Sequence, residues 1–111
     1  MSIDLSALEP YREIMGEEAD AFIAEILGMF VENAPKLVEQ MEISLVANDN
    51  KTFIRSAHTL KSNSGTVGAT ALSKLAETLE QEGTREDLQT LLGVLNETRA
   101  ELNLVVASLK K

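Results

Sequence analysis

Apolar residues recur every three or four positions along most of the chain, which is the period of an amphipathic helix. The longest stretch of this kind covers residues 18–46 and predicts one long helix. Pro35 falls inside it and is expected to bend or interrupt the helix, because proline has no backbone N–H and crowds the preceding turn. The apolar positions of the stretch are Phe22, Ile23, Ile26, Leu27, Phe30, Leu37, Val38, Met41 and Leu45.

Two shorter helices are predicted next, each bounded by turn-forming residues. The run Asn-Asp-Asn at 48–50 marks a turn and an N-cap, so a helix is predicted over residues 51–64. Gly65 and Gly68 are expected to bracket a short break before the following helix, which should end at Gly83 as its C′ residue. That helix carries Leu72, Leu75, Ala76 and Leu79.

A last helix is predicted from the run Thr-Arg-Glu-Asp at residues 84–87. The run resembles a capping box in which Asp87 replaces the usual Glu or Gln, so the helix is expected to start there. An apolar stripe at nearly heptad spacing then continues to the end of the chain. It is formed by Leu88, Leu91, Leu95, Leu102, Val105 and Leu109.

The start of the chain adds a short element. Leu5, Leu8 and Ile14 suit a short helix within residues 4–15, and Pro10 and Gly16 limit its length, so we expect a flap over the bundle. A chain of 111 residues fits one domain, since two cores of half that size would each be marginal. The prediction is an all-α fold: an antiparallel four-helix bundle with an additional short N-terminal helix, in a single domain covering residues 1–111.

Composition agrees with this fold and excludes several classes of function. The chain is 44% hydrophobic and 25% charged, with 4% aromatic residues and no Trp, which favours helices packed through aliphatic side chains. Its net charge of −8 disfavours binding to nucleic acid or to an anionic membrane. The acidic surface either attracts a partner with a basic rim or serves solubility alone.

The absence of certain sequence features narrows the compartment and the chemistry. With no cysteine, the chain has no disulfides, no thiol catalysis and no Cys-based metal site. The start resembles no signal peptide, and no apolar stretch approaches ~18 residues, so a cytoplasmic protein is predicted. No phosphate-binding loop, dinucleotide fingerprint or zinc spacing is present.

His58 is the only histidine, and helical geometry places it on the outer face of its helix. Its ring is expected to point into solvent, because His58 lies roughly 140° around the helix from the middle of the core-facing stripe. At ~100° per residue, that stripe spans about 60° and is formed by Phe53, Ala57, Leu60 and Ser64.

The surroundings of His58 suit an approach by another protein. Ser62 and Gly65 are stacked beside it at helical spacing, and Lys61 lies one turn away on the other flank. Small residues leave room for the in-line attack that phosphoryl transfer needs, and Lys61 adds a cation that disfavours the imidazolium form. A solvent-facing histidine beside a lysine is usually an ordinary surface residue, but Ser62 and Gly65 are poor helix formers where Ala or Lys would be favoured.

The sequence AHTLKSNSGTVGA at residues 57–69 resembles the signature of histidine phosphotransfer (HPt) domains. That signature is a histidine, a lysine three residues later, small residues after it, and Gly-Ala opening the next helix. The similarity extends through Leu72 to Glu80 on the following helix and includes residues 30–35 of the long helix, so it covers essentially the whole chain.

The resemblance implies roles for particular residues. His58 would be phosphorylated on a ring nitrogen, typically Nε2, with Lys61 assisting phosphate binding and a small residue at 62 admitting the partner. Many members have glycine where this chain has Ser62, so its hydroxyl either narrows the approach or donates a hydrogen bond. Some relatives hold the imidazole with a glutamine at the position where this chain has Glu80, followed by Gln81. Glu80 either pairs with the ring and favours its charged form, against the effect of Lys61, or is merely solvated.

The resemblance also implies a phosphorelay intermediate that exchanges a phosphoryl group with aspartates of response-regulator receiver domains, supplied through a hybrid sensor histidine kinase. The chain itself would be a monomer with no kinase activity and no cofactor, and Mg²⁺ would be bound by the receiver. The alternative is a helical docking module that binds a receiver or kinase without being phosphorylated. A metal-dependent or substrate-handling enzyme is disfavoured, because one histidine and scattered carboxylates give no set of ligands on one face.

Two neighbours of His58 on the same helix have alternative interpretations. Ile54 projects ~40° from His58 and is either an exposed apolar anchor for a partner or a residue at the edge of the core. Arg55 lies one turn before His58 and either attracts a phosphoryl group or an acidic partner surface, or is an ordinary solvated charge.

Overall fold

The computed structural model describes residues 5–83 and 87–109, and every regular element in these ranges is helical, which confirms the predicted all-α class. The chain begins with a 3-10 turn over Leu5–Leu8, and a second such turn over Gly16–Glu18 precedes the long helix. The α-helices are α1 (Glu9–Met15), α2 (Ala19–Val46), α3 (Asn50–Thr66), α4 (Thr70–Glu82) and α5 (Leu88–Leu109).

The four helices α2 to α5 form the predicted antiparallel bundle. Short connections make each helix reverse direction relative to the one before it. Consecutive helices pack together and α5 closes against α2, so α3 and α5 lie diagonally across the bundle. The core is aliphatic apart from two phenylalanines, and its largest fully buried apolar side chains are Phe53, Met41, Leu60, Leu72, Leu79, Leu95, Val38, Val67 and Val105.

The turn between α2 and α3 confirms the prediction for residues 48–50. Asn48 adopts a left-handed conformation (φ 62°), and the N–H groups of Asn48 and Asp49 bond back to carbonyls in the last turn of α2. The Asp49 side chain accepts a hydrogen bond from the Thr52 N–H at 3.2 Å and is the N-cap of α3. One tripeptide therefore ends one helix and begins the next.

The long helix is not interrupted at Pro35, contrary to one of the outcomes predicted. α2 continues through this position, with Ala34 and Val38 buried against the core on either side. Pro35 itself is exposed, so its ring lies on the side of α2 that faces away from the core. Core packing outweighs the single lost hydrogen bond.

The break between α3 and α4 is shorter than predicted, and Gly65 does not belong to it. α3 extends to Thr66, which puts Gly65 inside its last turn. Gly68 alone adopts a left-handed conformation (φ 78°), and the Ala69 N–H donates to the Ser64 carbonyl at 2.8 Å. This is a Schellman ending, in which one glycine suffices to stop the helix.

Gly83 ends α4, but not for the reason the sequence suggested. Its φ of −57° is right-handed, so no left-handed C′ conformation is needed. A Cβ at this position would lie 3.1 Å from side-chain atoms of both Phe53 and Ile54 and 3.0 Å from the Leu79 carbonyl oxygen. Glycine suits this position because α3 approaches the backbone closely, and a larger residue would force its neighbours to shift by a few tenths of an ångström.

The start of α5 also differs from the prediction. The helix begins at Leu88, and the Asp87 carboxylate accepts a hydrogen bond from the Thr90 N–H at 2.8 Å. Asp87 is therefore the N-cap itself and not the fourth residue of a capping box. Thr84, the cap residue of the predicted box, lies outside the described residues.

The N-terminal segment packs across the bundle as the predicted flap. Helix α1 contacts α2, and the turn before it reaches α3. Gly16 (φ 60°) ends α1 as expected, whereas Ile14 is 83% exposed and does not join the packing. The flap has its own small apolar cluster, whose buried members are Leu8, Ala19 and Ile23.

Candidate functional site

Helix α3 presents His58 on its outer face. The predicted core-facing stripe is buried, with Phe53, Ala57, Leu60 and Ser64 all inaccessible to solvent. The imidazole consequently points outward, and its side chain is 60% exposed. The expected orientation of the ring is confirmed, and the ring is open to a second protein.

Helix α4 supplies the partner of the imidazole. The Nδ1 atom of His58 lies 2.7 Å from Oε2 of Glu80, which is a close hydrogen bond. The two residues come together because α3 and α4 are antiparallel and lie on opposite sides of the Gly68 turn at similar distances along the chain. Of the two interpretations of Glu80, the structure shows pairing with the ring.

This contact determines which nitrogen of a neutral His58 ring carries the proton. The hydrogen bond from Lys61, followed by that from His58, holds the pKa of the Glu80 carboxyl below its usual range, so Glu80 is ionised at neutral pH. An ionised carboxylate can only accept, hence the proton of a neutral His58 ring resides on Nδ1. The lone pair is then on Nε2, the nitrogen on the far side of the ring from Glu80.

Lys61 is bound to the same carboxylate. Its Nζ atom lies 2.8 Å from Oε1 of Glu80, and only 30% of its side chain is exposed. This hydrogen bond raises the pKa of Lys61, which keeps it cationic. The Ser73 hydroxyl of α4 donates to the Lys61 carbonyl at 3.0 Å and further ties the two helices together. The lysine expected to face an incoming phosphoryl group is therefore turned toward Glu80.

The small residues beside His58 leave the surface open. Ser62 and Gly65 are both exposed on the outer face of α3. A Cβ built at Gly65 would find only the Ser73 hydroxyl oxygen, at 3.8 Å, so the chain's own packing does not require glycine there. The free space beside Ser62 and Gly65 therefore faces solvent, on the outer face of α3 that also carries His58.

The other two residues predicted for the site lie farther from the ring chemistry. Ile54 is half-buried and packs against the main core, which is the edge-of-core alternative. Arg55 is exposed, and its charge helps to lower the pKa of Asp49, after the hydrogen bonds from Thr52, at the opposite end of α3 from Gly65. No contact places either side chain on His58.

Sequence reasoning missed the Lys61–Glu80 ion pair and the Ser73 hydrogen bond. Both contacts join α3 to α4, so they depend on how the two helices are rotated about their axes. The available signal was the short turn at Gly68, which forces residues at similar distances from it to face one another. Nothing in that signal identifies which oxygen of Glu80 meets which partner.

Two structural features bear on other classes of function. Among residues 5–83 and 87–109, no group of three His, Cys, Asp or Glu side chains is arranged to hold a metal ion. In the same ranges, no helix has the length and hydropathy required to cross a bilayer.

Comparison with known proteins shows similarity to phosphotransfer and sensor proteins. Over 81 residues, 73% of this chain, it is 33% identical to the sensor protein TorS of Escherichia coli, of which the match covers 8%. Over 61 residues, 52% of this chain, it is 36% identical to histidine-containing phosphotransfer protein 5 of Arabidopsis thaliana, of which the match covers 39%. The chain thus spans less than half the length of these relatives.

Solved structures share the fold. Histidine-containing phosphotransfer protein B of Pseudomonas aeruginosa superposes with a TM-score of 0.84 at 24% identity, covering 98% of this chain and 91% of that one. The HPT domain of a sensor hybrid histidine kinase from Shewanella gives a TM-score of 0.76 at 22% identity, with the same coverage of 98% and 91%. The family model of the Hpt domain matches residues 25–108, a span that contains α3, α4, nearly all of α5 and most of α2. The chain therefore belongs to the Hpt domain family.

Proposed function

We propose that this protein is a phosphorelay carrier that receives a phosphoryl group on His58 from a receiver aspartate and passes it to another receiver. The observation that carries the proposal is the exposed imidazole whose Nδ1 is held by Glu80, leaving Nε2 as an outward nucleophile. Membership of the Hpt domain family supports it.

The transfer step needs no general base within this chain. The Nε2 lone pair of His58 attacks phosphorus in line, the P–O bond of the phosphoaspartate breaks, and its electron pair returns to the aspartate carboxylate. The ring then carries a positive charge, with its proton still on Nδ1 and donated to Glu80. The reverse steps deliver the phosphoryl group to the next aspartate and restore the neutral ring.

The remaining requirements are assigned to the partner. A receiver domain would bring its own Mg²⁺, which neutralises charge on the phosphoryl oxygens. On this chain, Ser62 and Gly65 would admit the receiver's active site, and the acidic surface would favour a partner with a basic rim. A hybrid sensor histidine kinase would act upstream, since one structural neighbour is a domain of such a kinase. The chain would have no kinase activity of its own, and its predicted cytoplasmic location forms part of the proposal.

The test is transfer from a radiolabelled phosphorylated receiver domain to the purified protein. Wild type should gain acid-labile, base-stable phosphate, as expected of a P–N bond, and His58→Gln should gain none while keeping its helical circular dichroism spectrum. Equal labelling of both proteins would show that the phosphorylated residue is elsewhere.

The same experiment separates the alternative of a docking module. The protein docks without carrying phosphate if three results are found together. Wild type binds the phosphorylated receivers of its source organism, the His58→Ala variant binds them equally well, and wild type acquires no acid-labile phosphate from any of them. Such a result would reject the carrier function and keep the interaction.

A further inference from the structure

We propose that Arg55 is the cation of this chain that binds the phosphoryl group once that group is on Nε2 of His58. Lys61, the other candidate, stays with the Glu80 carboxylate. This inference rests on the proposed phosphorylation of His58 and identifies what holds the transferred group at that site.

Arg55 and Lys61 flank His58 on α3, three residues before it and three residues after it. At ~100° per residue, they project about 60° from His58 to opposite sides of the helix. The Glu80 carboxylate lies 2.8 Å from Lys61 Nζ and 2.7 Å from His58 Nδ1, so it occupies the Lys61 side of the ring. Nε2 therefore faces the other side of α3, which carries Arg55.

Helical spacing also brings the guanidinium of Arg55 within reach of a group on Nε2. Residues three apart on a helix have Cβ atoms ~5–6 Å apart. Helical side chains lean toward the N-terminus, so the imidazole of His58 covers the turn before its own Cα, which is the turn of Arg55. A phosphoryl group on Nε2 extends the His58 side chain farther on this side.

Arg55 is the cation that remains available. The ammonium group of Lys61 is bound to Glu80 and its side chain is only 30% exposed. Arg55 is exposed, and within residues 5–83 and 87–109 it forms no ion pair. Its charge acts on Asp49, but that carboxylate caps α3 and accepts a hydrogen bond from the Thr52 N–H.

The charge of α3 differs from that of the whole molecule. The helix contains Lys51, Arg55 and Lys61 and no Asp or Glu, although the net charge of the chain is −8. A phosphoryl anion is repelled by a molecule of that charge, so a local cation is needed to offset the repulsion. The planar fork of a guanidinium can donate to two phosphoryl oxygens at once, which a lysine cannot do in the same geometry.

The first test titrates the phosphoryl group of the phosphorylated protein at about 0.15 M salt. Phosphoramidate, a small donor whose P–N bond breaks with release of ammonia, labels His58 without a receiver, and ³¹P NMR follows the signal as the pH is varied. A bound guanidinium favours the ionised phosphoryl group, so its pKa should rise by about half a unit to one unit in Arg55→Gln. Arg55→Lys, which keeps the charge without the fork, should give an intermediate value.

Lys51→Gln is the matched control, because it removes the same charge from an exposed residue of α3, ~10 Å along the helix from His58. It should shift the pKa of the phosphoryl group by less than about 0.2 unit, since salt screens charges at that distance. Equal shifts in Arg55→Gln and Lys51→Gln, or no shift in Arg55→Gln, would overturn the inference. A shift found only in Lys61→Gln would also overturn it, because the lysine would then leave Glu80 after phosphorylation.

The second test observes the arginine directly. In ¹H–¹⁵N NMR spectra, the Nε–H signal of Arg55, assigned by its loss in Arg55→Gln, should shift and exchange more slowly with water when His58 is phosphorylated. The signal of Arg99, which is bound to Glu42 on the other side of the bundle, should not change. An unchanged Arg55 signal in fully phosphorylated protein contradicts the inference.

Failure of this inference is distinguishable from failure of the proposed function. If receivers phosphorylate His58 but Arg55→Gln leaves the titration unchanged, the carrier function stands and only the role of Arg55 is wrong. If no receiver transfers phosphate but phosphoramidate labels His58 and the titration shifts in Arg55→Gln, the carrier function fails and the phosphoryl-binding role of Arg55 stands.

Discussion

At the scale of single residues, the properties of His58 depend on a side chain 22 positions away in sequence. Local sequence explains why the ring is exposed, since its helical position lies far from the buried stripe. It does not explain which ring nitrogen carries the proton of the neutral imidazole. That is decided by Glu80, whose carboxylate lies against Nδ1 and leaves the lone pair on Nε2.

Access to Nε2 gives a prediction for Ser62, which lies one turn after His58 on the exposed face of α3. Ser62→Leu should slow phosphoryl transfer from a receiver by roughly tenfold or more, because a bulky side chain displaces the docked active site. Labelling by phosphoramidate should change by less than about twofold, because a donor that small needs no docking surface. The measurement is the ratio of the two rates.

The control for this prediction is Asn96→Leu, which adds the same side chain on the exposed surface of α5, diagonal to α3, and should change neither rate. Equal slowing with both donors in Ser62→Leu would mean that the leucine disturbs the ring and not the docking. Ser62→Gly separates the two interpretations of the hydroxyl: faster transfer indicates that Ser62 narrows the approach, and slower transfer indicates that it donates a useful hydrogen bond.

At the scale of elements, helix ends could be predicted only to within a few residues. The Asn-Asp-Asn turn was identified correctly because its signals, a left-handed Asn48 and an Asp49 N-cap, are local. The end of α3 and the start of α5 were each misplaced by two or three residues, because several candidate glycines and caps stood close together. Backbone hydrogen bonding in the folded chain selected Gly68 and Asp87.

Close packing at the end of α4 predicts that Gly83→Ala destabilises the fold. A Cβ there would lie 3.0–3.1 Å from atoms of Phe53, Ile54 and Leu79, two of them on the well-packed helix α3. The free energy of unfolding, measured with urea, should fall by about 1–3 kcal/mol, the usual effect of overpacking.

The matched control is Gly28→Ala in the middle of α2, where a Cβ would have no neighbour within 4 Å. That change should raise the free energy of unfolding by up to ~1 kcal/mol through helix propensity alone. A stabilising Gly83→Ala would show that α3 and α4 can move apart easily at this end.

The N-cap of α3 predicts a pH-dependent contribution to stability. Hydrogen bonds from the Thr52 side chain and backbone hold the pKa of Asp49 below its ordinary value of 3.8. A group whose pKa is lowered by folding stabilises the native state above its unfolded pKa and loses that contribution as pH falls. Wild type should therefore melt at a higher temperature than Asp49→Asn at neutral pH, and the difference should close below about pH 4.

The companion variant is Asp87→Asn at the start of α5, where backbone and side-chain hydrogen bonds from Thr90 likewise lower the pKa of the carboxyl. The difference in melting temperature between this variant and wild type should likewise become smaller as the pH falls. A melting-temperature difference that stays constant from pH 7 to pH 3 at either cap would mean that the ionised carboxylate is no better a cap than the amide.

At the scale of the whole molecule, shape and charge favour a monomer. The bundle buries most of its apolar residues, although Met29, Ile43, Val46, Leu88 and Leu104 stay exposed. Its principal extents are 48 × 23 × 19 Å, and its net charge is −8. Two copies of such a molecule repel one another. We expect a mass near 12.1 kDa by light scattering and a radius of gyration slightly above the 14.7 Å of its Cα atoms. A mass twice as large, at low or at high salt, would contradict this expectation.

The sequence by itself determined which segments are helical, most of the buried stripe of each bundle helix (Leu88 of the α5 stripe is exposed), the outward position of His58 and the Asn-Asp-Asn turn. These properties follow from residue spacing and from side chains that act within one turn of their own position. Tertiary structure decided the features that join helices: Lys61 turned to Glu80, Glu80 on Nδ1 of His58, and a glycine at 83. The physical reason is that the rotation and axial position of one helix against another are set by packing of the whole core, which no local pattern encodes.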